Sequence, residues 1–311
     1  MEEIIAPVSR ALIEQELNEH TFLRKTNKGG NEIYIVNAGN APNVLLEIGR
    51  LREWAFREGG GGTGKPYDLD EYDEGPYTYQ QLIVWSPEDK EIIGGYRYIK
   101  CADAIDAQGA VHLSTTHYFN FSTQFVQEYL PHTIELGRSF VQPLYQSKDG
   151  GKKGLFSLDN LWDGLGALVV IHPDIKYFFG KVTMYKTFDL QARDHIMAFM
   201  QYYFPDTDSL LQAKPELKVE ITTPVAAFLD QLQGQEYKKG HLLLNNFVKE
   251  RGENIPPLIN NYMNLSSTMK TFDTANNPDF GDVEETCILI SIHNIFPTKA
   301  ERHVSTFQQQ G

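Results

Sequence analysis

At 311 residues, 41% hydrophobic and 12% aromatic, the chain can bury one large core or two small ones. Its 41 acidic residues against 28 basic ones give a formal net charge of −13, which excludes a generic nucleic-acid binder, because phosphate would be repelled. Two cysteines, Cys101 and Cys287, supply neither a disulfide framework nor a zinc ligand set, no stretch approaches the ~20 apolar residues of a membrane span, and the acidic start Met1-Glu2-Glu3 is unlike a secretory signal; a cytoplasmic globular protein with no metal is expected.

Residues 1–30 are polar, with a short helical pattern at 11–17. Lys28-Gly29-Gly30 turns into a strand over Glu32–Val36. From Asn43 to Glu58, Leu45, Ile48, Leu51, Ala55 and Phe56 recur at helical spacing. A glycine run, Gly59 to Gly64, ends that helix and opens an acidic, mobile segment reaching Glu74. Tyr79–Trp85 and Glu91–Ile99 flank Ser86-Pro87-Glu88-Asp89-Lys90 and predict a hairpin. A strand at Thr133–Val141 precedes a Gly/Lys loop and an apolar helix from Ser157 to about Ile171. A strand at 180–184 and a helix at 189–204 follow. Residues 206–254 are charged and amphipathic, which suggests a helical insertion, and a helix at 257–265 and a strand at 286–293 close the pattern. Helices mixed with hairpin-connected strands indicate an α+β fold rather than a doubly wound sheet.

Gly59-x-Gly61-x-x-Gly64 fits a dinucleotide fingerprint, and with Lys65 it fits most of a Walker A loop. Both require a strand before and a helix after, so that amides and the helix dipole face phosphate. Here a helix precedes and Pro66 stands where the magnesium-binding hydroxyl belongs, so the run reads as a flexible lid or linker. Asp68-Leu69-Asp70-Glu71-Tyr72-Asp73-Glu74 packs five carboxylates into seven residues without the ligand order of a calcium loop. Most of these side chains read as a solvated loop; Asp70 and Asp73, flanking Tyr72, are candidates to meet a cationic amine. In the 133–141 strand, alternation places Ile134, Leu136, Arg138 and Phe140 on one face, and Glu135, Gly137, Ser139 and Val141 on the other. A charge in so apolar a strand must be paired or used. Glu135 is therefore either a substrate-facing carboxylate or half of a buried ion pair with Arg97 or Arg52. Downstream, Lys148, Lys152 and Lys153 with Ser157 as N-cap offer a phosphate cradle at a helix N-terminus, or an ordinary surface turn.

Taken in order, Arg52-x-x-x-Phe56, Asp70-Glu71-Tyr72-Asp73, Gly95-Tyr96-Arg97 and Glu135-Leu136-Gly137-Arg138 resemble the skeleton of the acyl-homoserine-lactone autoinducer synthases and of the related ornithine-lipid and glycine-lipid N-acyltransferases. Glu135 through Val141 with Pro143, Leu161-Trp162-x-Gly164, Phe179-Gly180-Lys181-Val182-Thr183, Ile255-Pro256-Pro257-Leu258-Ile259-x-x-Tyr262 and Asn277-Pro278-Asp279-Phe280 resemble the hemolysin-like lipid branch. Asn27 to Tyr34, with Ala41-Pro42-Asn43, looks like the Bacteroidetes-type glycine-lipid enzymes. Thr183 departs from that branch, which often has Ser, and the 142–156 loop is longer than a standard pyrophosphate loop.

The resemblance implies a GNAT-like mixed, mostly antiparallel sheet flanked by helices, spanning 44–305, with an N-terminal extension over 1–43, an insertion at 206–254 and a disordered tail at 306–311. It implies transfer of a fatty or 3-hydroxyfatty acyl group to the amine of an amino acid, glycine above all, in aminolipid synthesis. The donor would be the acyl-phosphopantetheine of acyl carrier protein, with acyl-CoA as the alternative and no permanently bound cofactor. Glu135, Arg138 and Arg97 would be catalytic, with the arginines fixing Glu135 and the acidic loop. Arg52, Phe56, Asp70, Asp73 and Ser139 would bind substrate, with Arg52 orienting Asp70 or Asp73. Lys148, Lys152, Lys153 and Ser157 would take the donor and its carrier, and the amphiphilic product could draw the protein to a membrane surface. The other classes to weigh are an acetyl-CoA-dependent GNAT acting on a small metabolite and a non-catalytic lipid- or protein-binding module. An enclosed apolar cavity ending near Glu135 would favour the long-chain reading.

Overall fold

In the computed structural model, which describes residues 1–146, 154 and 156–308, the chain divides into two compact units. The first takes Met1–Ser114, Leu130–Lys176 and the stretch from Pro297; the second takes Thr115–Tyr129 and Tyr177–Phe296.

The sheet of the first unit runs β1 (Phe22–Lys25), β2 (Glu32–Val36), β3 (Gln80–Ser86), β4 (Glu91–Lys100) and β6 (Thr133–Val141), each antiparallel to its neighbour. The expected hairpin is β3–β4, with Gln80 opposite Tyr98 and Ser86 opposite Glu91. Leu82, Ile83, Val84 and Trp85 are all buried, as a strand covered on both faces requires. Two helices supply that cover. Along α2 (Pro42–Gly59), Val44, Leu45, Ile48, Leu51, Ala55 and Phe56 are buried at helical spacing; Pro42 opens the helix and Gly60, at φ 95°, closes it in the left-handed conformation. On the opposite face, α4 (Ser157–Ile171) approaches so closely that a Cβ on Gly164 would lie 2.5 Å from the Leu82 side chain. Tyr96 Oη donates to the Leu161 carbonyl at 2.7 Å and ties α4 to β4. Smaller helices are α1 (Arg10–Glu16) and α3 (Glu71–Glu74). The N-terminal stretch is thus more than an extension, since β1 and β2 build one edge of the sheet.

In the second unit, β7 (Tyr177–Met184), β10 (Val283–Ser291) and β9 (Lys270–Asn277) pair antiparallel in that order, and β5 (Phe119–Phe121) pairs with β8 (Leu211–Ala213). Phe125, Phe179 and Phe272 form the aromatic core, ring centroids 5.4–6.3 Å apart in edge-on geometry. Around the strands lie α5 (Leu190–Tyr203, capped by Asp189), α6 (Ala226–Leu232), α7 (Tyr237–Glu250) and α8 (Pro257–Met263).

Several expectations need correction. The 206–254 segment is not purely helical: it carries β8, and Lys218 bridges Ala275 of β9. Strand β9, rich in Lys, Asp, Thr and Asn, had no apolar signature to announce it. The glycine run is not a free lid. Buried Glu53 accepts hydrogen bonds from Thr63 N, Thr63 Oγ1 and Gly64 N at 2.8–2.9 Å, as well as one from Arg57 Nε at 2.7 Å. Glycine at 62 and 64 is required, because both have φ near 75–94°.

Candidate active site

The acidic run is drawn into the first unit rather than left in solvent. Asp70 caps α3, accepting from Tyr72 N at 3.0 Å, while Asp73 returns a bond from Asp70 N at 3.1 Å, a reciprocal capping box. This turn presents three carboxylates to three arginines. Arg52, fully buried on α2, bonds Asp68 at 2.9 Å and Asp73 at 3.0 Å. Arg97, on β4, bonds Asp70 at 2.6 Å and Asp73 at 3.1 Å. Arg138, on β6, reaches Asp68 at 2.9 Å and Asp70 at 3.5 Å. Burial alone would raise the pKa of these carboxyls, but the guanidinium charges outweigh it. Asp68 and Asp73 are pulled below the usual carboxylate range and Asp70 to about 2.

The cluster corrects two roles. Asp73 is no free partner for an amine: Arg52, Gln81, Arg97 and the Asp70 amide all donate to it, which fills the lone pairs of a carboxylate. Asp68 takes the place expected of Asp70 as Arg52's second partner; Asp70, with its side chain 24% exposed, is the most open of the three carboxylates. Arg138 does not sit where alternation puts it. Gly95 pairs with Phe140 and Arg97 with Gly137, so Tyr96 faces two residues, Arg138 and Ser139. That bulge is built on Arg138 itself, at φ 52°, and its side chain turns toward Asp68 and Asp70. Of the four non-glycine residues with positive φ among the described residues, Arg138 is the one inside a strand. Ser139 is half-buried within the bulge, and Phe56 is buried on α2.

Glu135 is only 1% exposed. The ion-pair alternative gave it Arg97 or Arg52, yet those two arginines bond the aspartates instead. Glu135 Oε1 accepts from Ser114 Oγ at 2.6 Å and from Tyr79 Oη at 3.0 Å. Ser114 N in turn donates to Tyr79 Oη at 3.0 Å. Tyr79 also separates Glu135 from Arg97, whose guanidinium lies 5.1 Å from the Tyr79 ring centroid. Sequence reasoning missed Tyr79, Ser114 and Asp68. The available signal was a tyrosine at the border of an apolar run; nothing local marks Ser114, whose partner is 21 residues away.

A buried carboxylate held by two hydroxyls beside a bulged strand can accept a proton from a bound nucleophile. Comparison with known proteins narrows the nucleophile and the reaction. The chain is 52% identical over its full length to a glycine N(alpha)-acyltransferase of Phocaeicola vulgatus, covering 95% of that protein. It is 53% identical over 308 residues to a glycine N(alpha)-acyltransferase of Bacteroides thetaiotaomicron, covering 91% of it. The chain belongs to this family of N-acyltransferases. Residues 51–153 match the family described as Acetyltransferase (GNAT) domain. That range holds Arg52, the acidic turn, Arg97, Glu135 and Arg138. Among solved structures, FeeM, an N-acyl amino acid synthase from uncultured soil microbes, is 10% identical with a TM-score of 0.38, over 85% of this chain and 93% of that one. The AHL synthase LasI is 18% identical with a TM-score of 0.35, over 50% and 74%.

Ser157 is not the N-cap of α4: Phe156 holds that position, and Ser157 Oγ donates to the Tyr145 carbonyl at 3.3 Å from a buried site. Lys148, Lys152 and Lys153 lie outside the described residues. A cleft of about 470 Å³ in the first unit is lined by Ile13, Trp54, Trp85, Ile92 and Leu144, together with other residues, none of them a candidate site residue. In the second unit, Lys181 Nζ lies 2.6 Å from Glu285 and 4.2 Å over the Tyr118 ring. Asn277 closes the circuit, donating to Glu285 and accepting from Tyr118 Oη, both at 3.0 Å. Two of the motifs shared with the lipid branch, at 179–183 and 277–280, thus meet in one buried polar network. No group of three or more potential metal ligands occurs among the described residues, and no helix there is long and apolar enough to cross a membrane.

Proposed function

We propose that this acyltransferase moves a fatty acyl group, 3-hydroxylated or plain, from the phosphopantetheine of acyl carrier protein to the amine of glycine, in the synthesis of an aminolipid. The observation that carries the reading is full-length identity above one half to two proteins named for glycine acylation. In the reaction, the amine nitrogen attacks the thioester carbonyl, the C–N bond forms and the C–S bond breaks. Glu135 takes the proton that the ammonium must lose and returns it to the departing thiolate; the second amine proton leaves to solvent. The developing oxyanion calls for an amide or a cation beside it, and Asp70 attracts the incoming ammonium. Lys148, Lys152 and Lys153 form the basic patch for the acidic carrier, which the chain's net charge of −13 would otherwise repel; acyl-CoA is the competing donor. The amphiphilic product gives a reason for transient contact with a membrane, and the reaction places the protein in the cytoplasm.

The test offers purified protein either 3-hydroxyacyl carrier protein or acyl-CoA together with each of several amino acids, with mass spectrometry of the product. Glycine acylated from the carrier is the expected result; acetyl transfer from acetyl-CoA to another amine overturns it. In single-turnover mixing, Glu135→Gln should slow transfer by ~10²–10⁴-fold with an unchanged melting temperature. A large drop in melting temperature with normal transfer by the folded fraction would make Glu135 structural.

A further inference from the structure

We propose that the edge of Arg97 formed by Nε and Nη2 binds the carboxylate of the amino-acid acceptor, in the space that Gly137 leaves beside it. The inference deepens the proposed function and rests on the acceptor being an amino acid.

The guanidinium of Arg97 is fixed by its neighbours. Its Cζ lies 5.1 Å from the Tyr79 ring centroid and 5.5 Å from that of Tyr72. Both of its bonds to carboxylates, 2.6 Å to Asp70 and 3.1 Å to Asp73, leave from Nη1. Nε, by contrast, is buried and has no hydrogen-bond partner among the described residues. Burying an unpaired donor is unfavourable, so a ligand is expected at this nitrogen, in a side chain only 2% exposed. Arg52 also leaves one nitrogen without a partner, Nη2, but its Nε is engaged by Asp68 and its Nη1 by Asp73. No paired edge remains there. On Arg97 the Nε–H and the Nη2–H beside it do remain together, and such an edge takes a carboxylate in two parallel bonds.

The space beside that edge belongs to Gly137, which β6 carries directly opposite Arg97. A Cβ on Gly137 would lie 3.7 Å from Arg97 Nε and Cγ and, its chain neighbours aside, would meet nothing else within 4 Å among the described residues. The other glycines of this strand pair are closed. A Cβ on Gly94 would collide with the Phe140 carbonyl, and one on Gly95 with the carbonyl of Leu82. Leu136, Gly137, Arg138 and Ser139 are only half-buried, whereas Thr133, Ile134 and Glu135 before them are buried. The strand is therefore open where Gly137 stands.

Charge and reach both suit a zwitterion. Arg52, Arg97 and Arg138 balance Asp68, Asp70 and Asp73, so an amino acid, bringing one charge of each sign, adds no net charge to the cluster. Burial by itself would lower the pKa of Arg97, but Asp73 and Asp70 raise it well above the ordinary value, so the cation persists. Asp70, the most open carboxylate, is on hand for the ammonium. Gly137 also shares a face of β6 with Glu135, two residues or about 6.8 Å along the strand, a span that an amino acid and its hydrogen bonds cover.

The experiment measures kcat/KM for glycine and for glycinamide, its neutral amide, in wild type, Gly137→Ala and Arg97→Lys, with a melting temperature for each. Wild type should prefer glycine by about 100-fold, the discrimination expected of two charge-assisted bonds. Gly137→Ala should fold normally, since its methyl meets no clash, yet fill the space beside Nε. It should raise KM for glycine about tenfold with a smaller change in kcat, and lower the glycine-to-glycinamide ratio by the same factor. Arg97→Lys keeps a cation, loses the paired edge, and should lower the ratio at least as far. Compared between variants, the ratio cancels the folded fraction and the different basicity of the two amines. Should Gly137→Ala fail to fold, Arg97→Lys decides by the same ratio. A wild type that takes glycinamide as readily as glycine, or a ratio that the variants leave unmoved, overturns the inference while glycine acylation stands. A wild type that acylates no amino acid defeats the proposed function, and this inference with it.

Discussion

Replacing Arg52 with Met tests whether the arginine–aspartate cluster is structural. None of the Arg52 side chain is exposed, nor any of the Asp68 and Asp73 carboxylates it bridges. Met keeps much of the volume and removes the cation, so the cost is mainly electrostatic. Two charge-assisted bonds are lost, each worth ~1.5–3 kcal/mol. Neither aspartate is abandoned, since Asp68 keeps Arg138 and Asp73 keeps Arg97 and Gln81. The net loss should therefore sit near the ~3–5 kcal/mol usual for breaking a buried pair, and not above it. For a protein of this size, with each kcal/mol shifting the midpoint by roughly 2–4 °C, the melting temperature should fall by about 10 °C. Calorimetry at pH 7 reads this directly. Adding Asp68→Asn to the Arg52→Met background should cost little more, or recover part of the loss, because it removes the carboxylate left in excess. A melting temperature within about 2 °C of wild type for Arg52→Met would refute the reasoning. So would a double variant that loses the sum of the two single changes, the mark of sites that do not interact.

The same cluster sets a response to acid. Asp68, Asp70 and Asp73 hold protons more weakly folded than unfolded, with Asp70 driven to about 2. Their contribution is complete above the unfolded carboxyl value of ~3.9 and is lost as pH falls through the folded values. Urea midpoints should therefore drop steeply between about pH 4 and pH 2 in wild type, and less steeply in Arg52→Met; equal slopes would count against the pairing. Glu53→Ala removes the acceptor for Thr63 and Gly64, so limited proteolysis should cut within 59–66 well before wild type is cut there. Equal protection in both would mean that the turn is held by something else.

The periodic elements were legible because their signal is local. Hairpin β3–β4, strand β6 and helices α2, α4 and α5 announce themselves through spacing of two or 3.6. What stayed hidden depends on pairing across distance. The run from Asp68 to Glu74 looks solvated on its own, and becomes core only because Arg52, Arg97 and Arg138, from 16 to 70 residues away, converge on it. The face of Arg138 could not be read from β6 alone. It depends on the bulge opposite Tyr96, which exists in the register between two strands and in neither sequence by itself.

Glu135 shows most sharply what register decides. The sequence requires that a charge in an apolar strand have a partner or a use, and it nominates Arg97 as partner. Register even places the two on one face, because Gly137, two residues along from Glu135, lies opposite Arg97. Tyr79 keeps them from pairing, with its ring beside the guanidinium and its hydroxyl on the carboxylate. An arginine in contact would hold Glu135 ionised by attraction and make it a poor proton acceptor. An aromatic ring in between leaves the arginine its aspartates and gives the carboxylate a hydroxyl donor. One tyrosine thus keeps apart two buried charges that composition and spacing would pair.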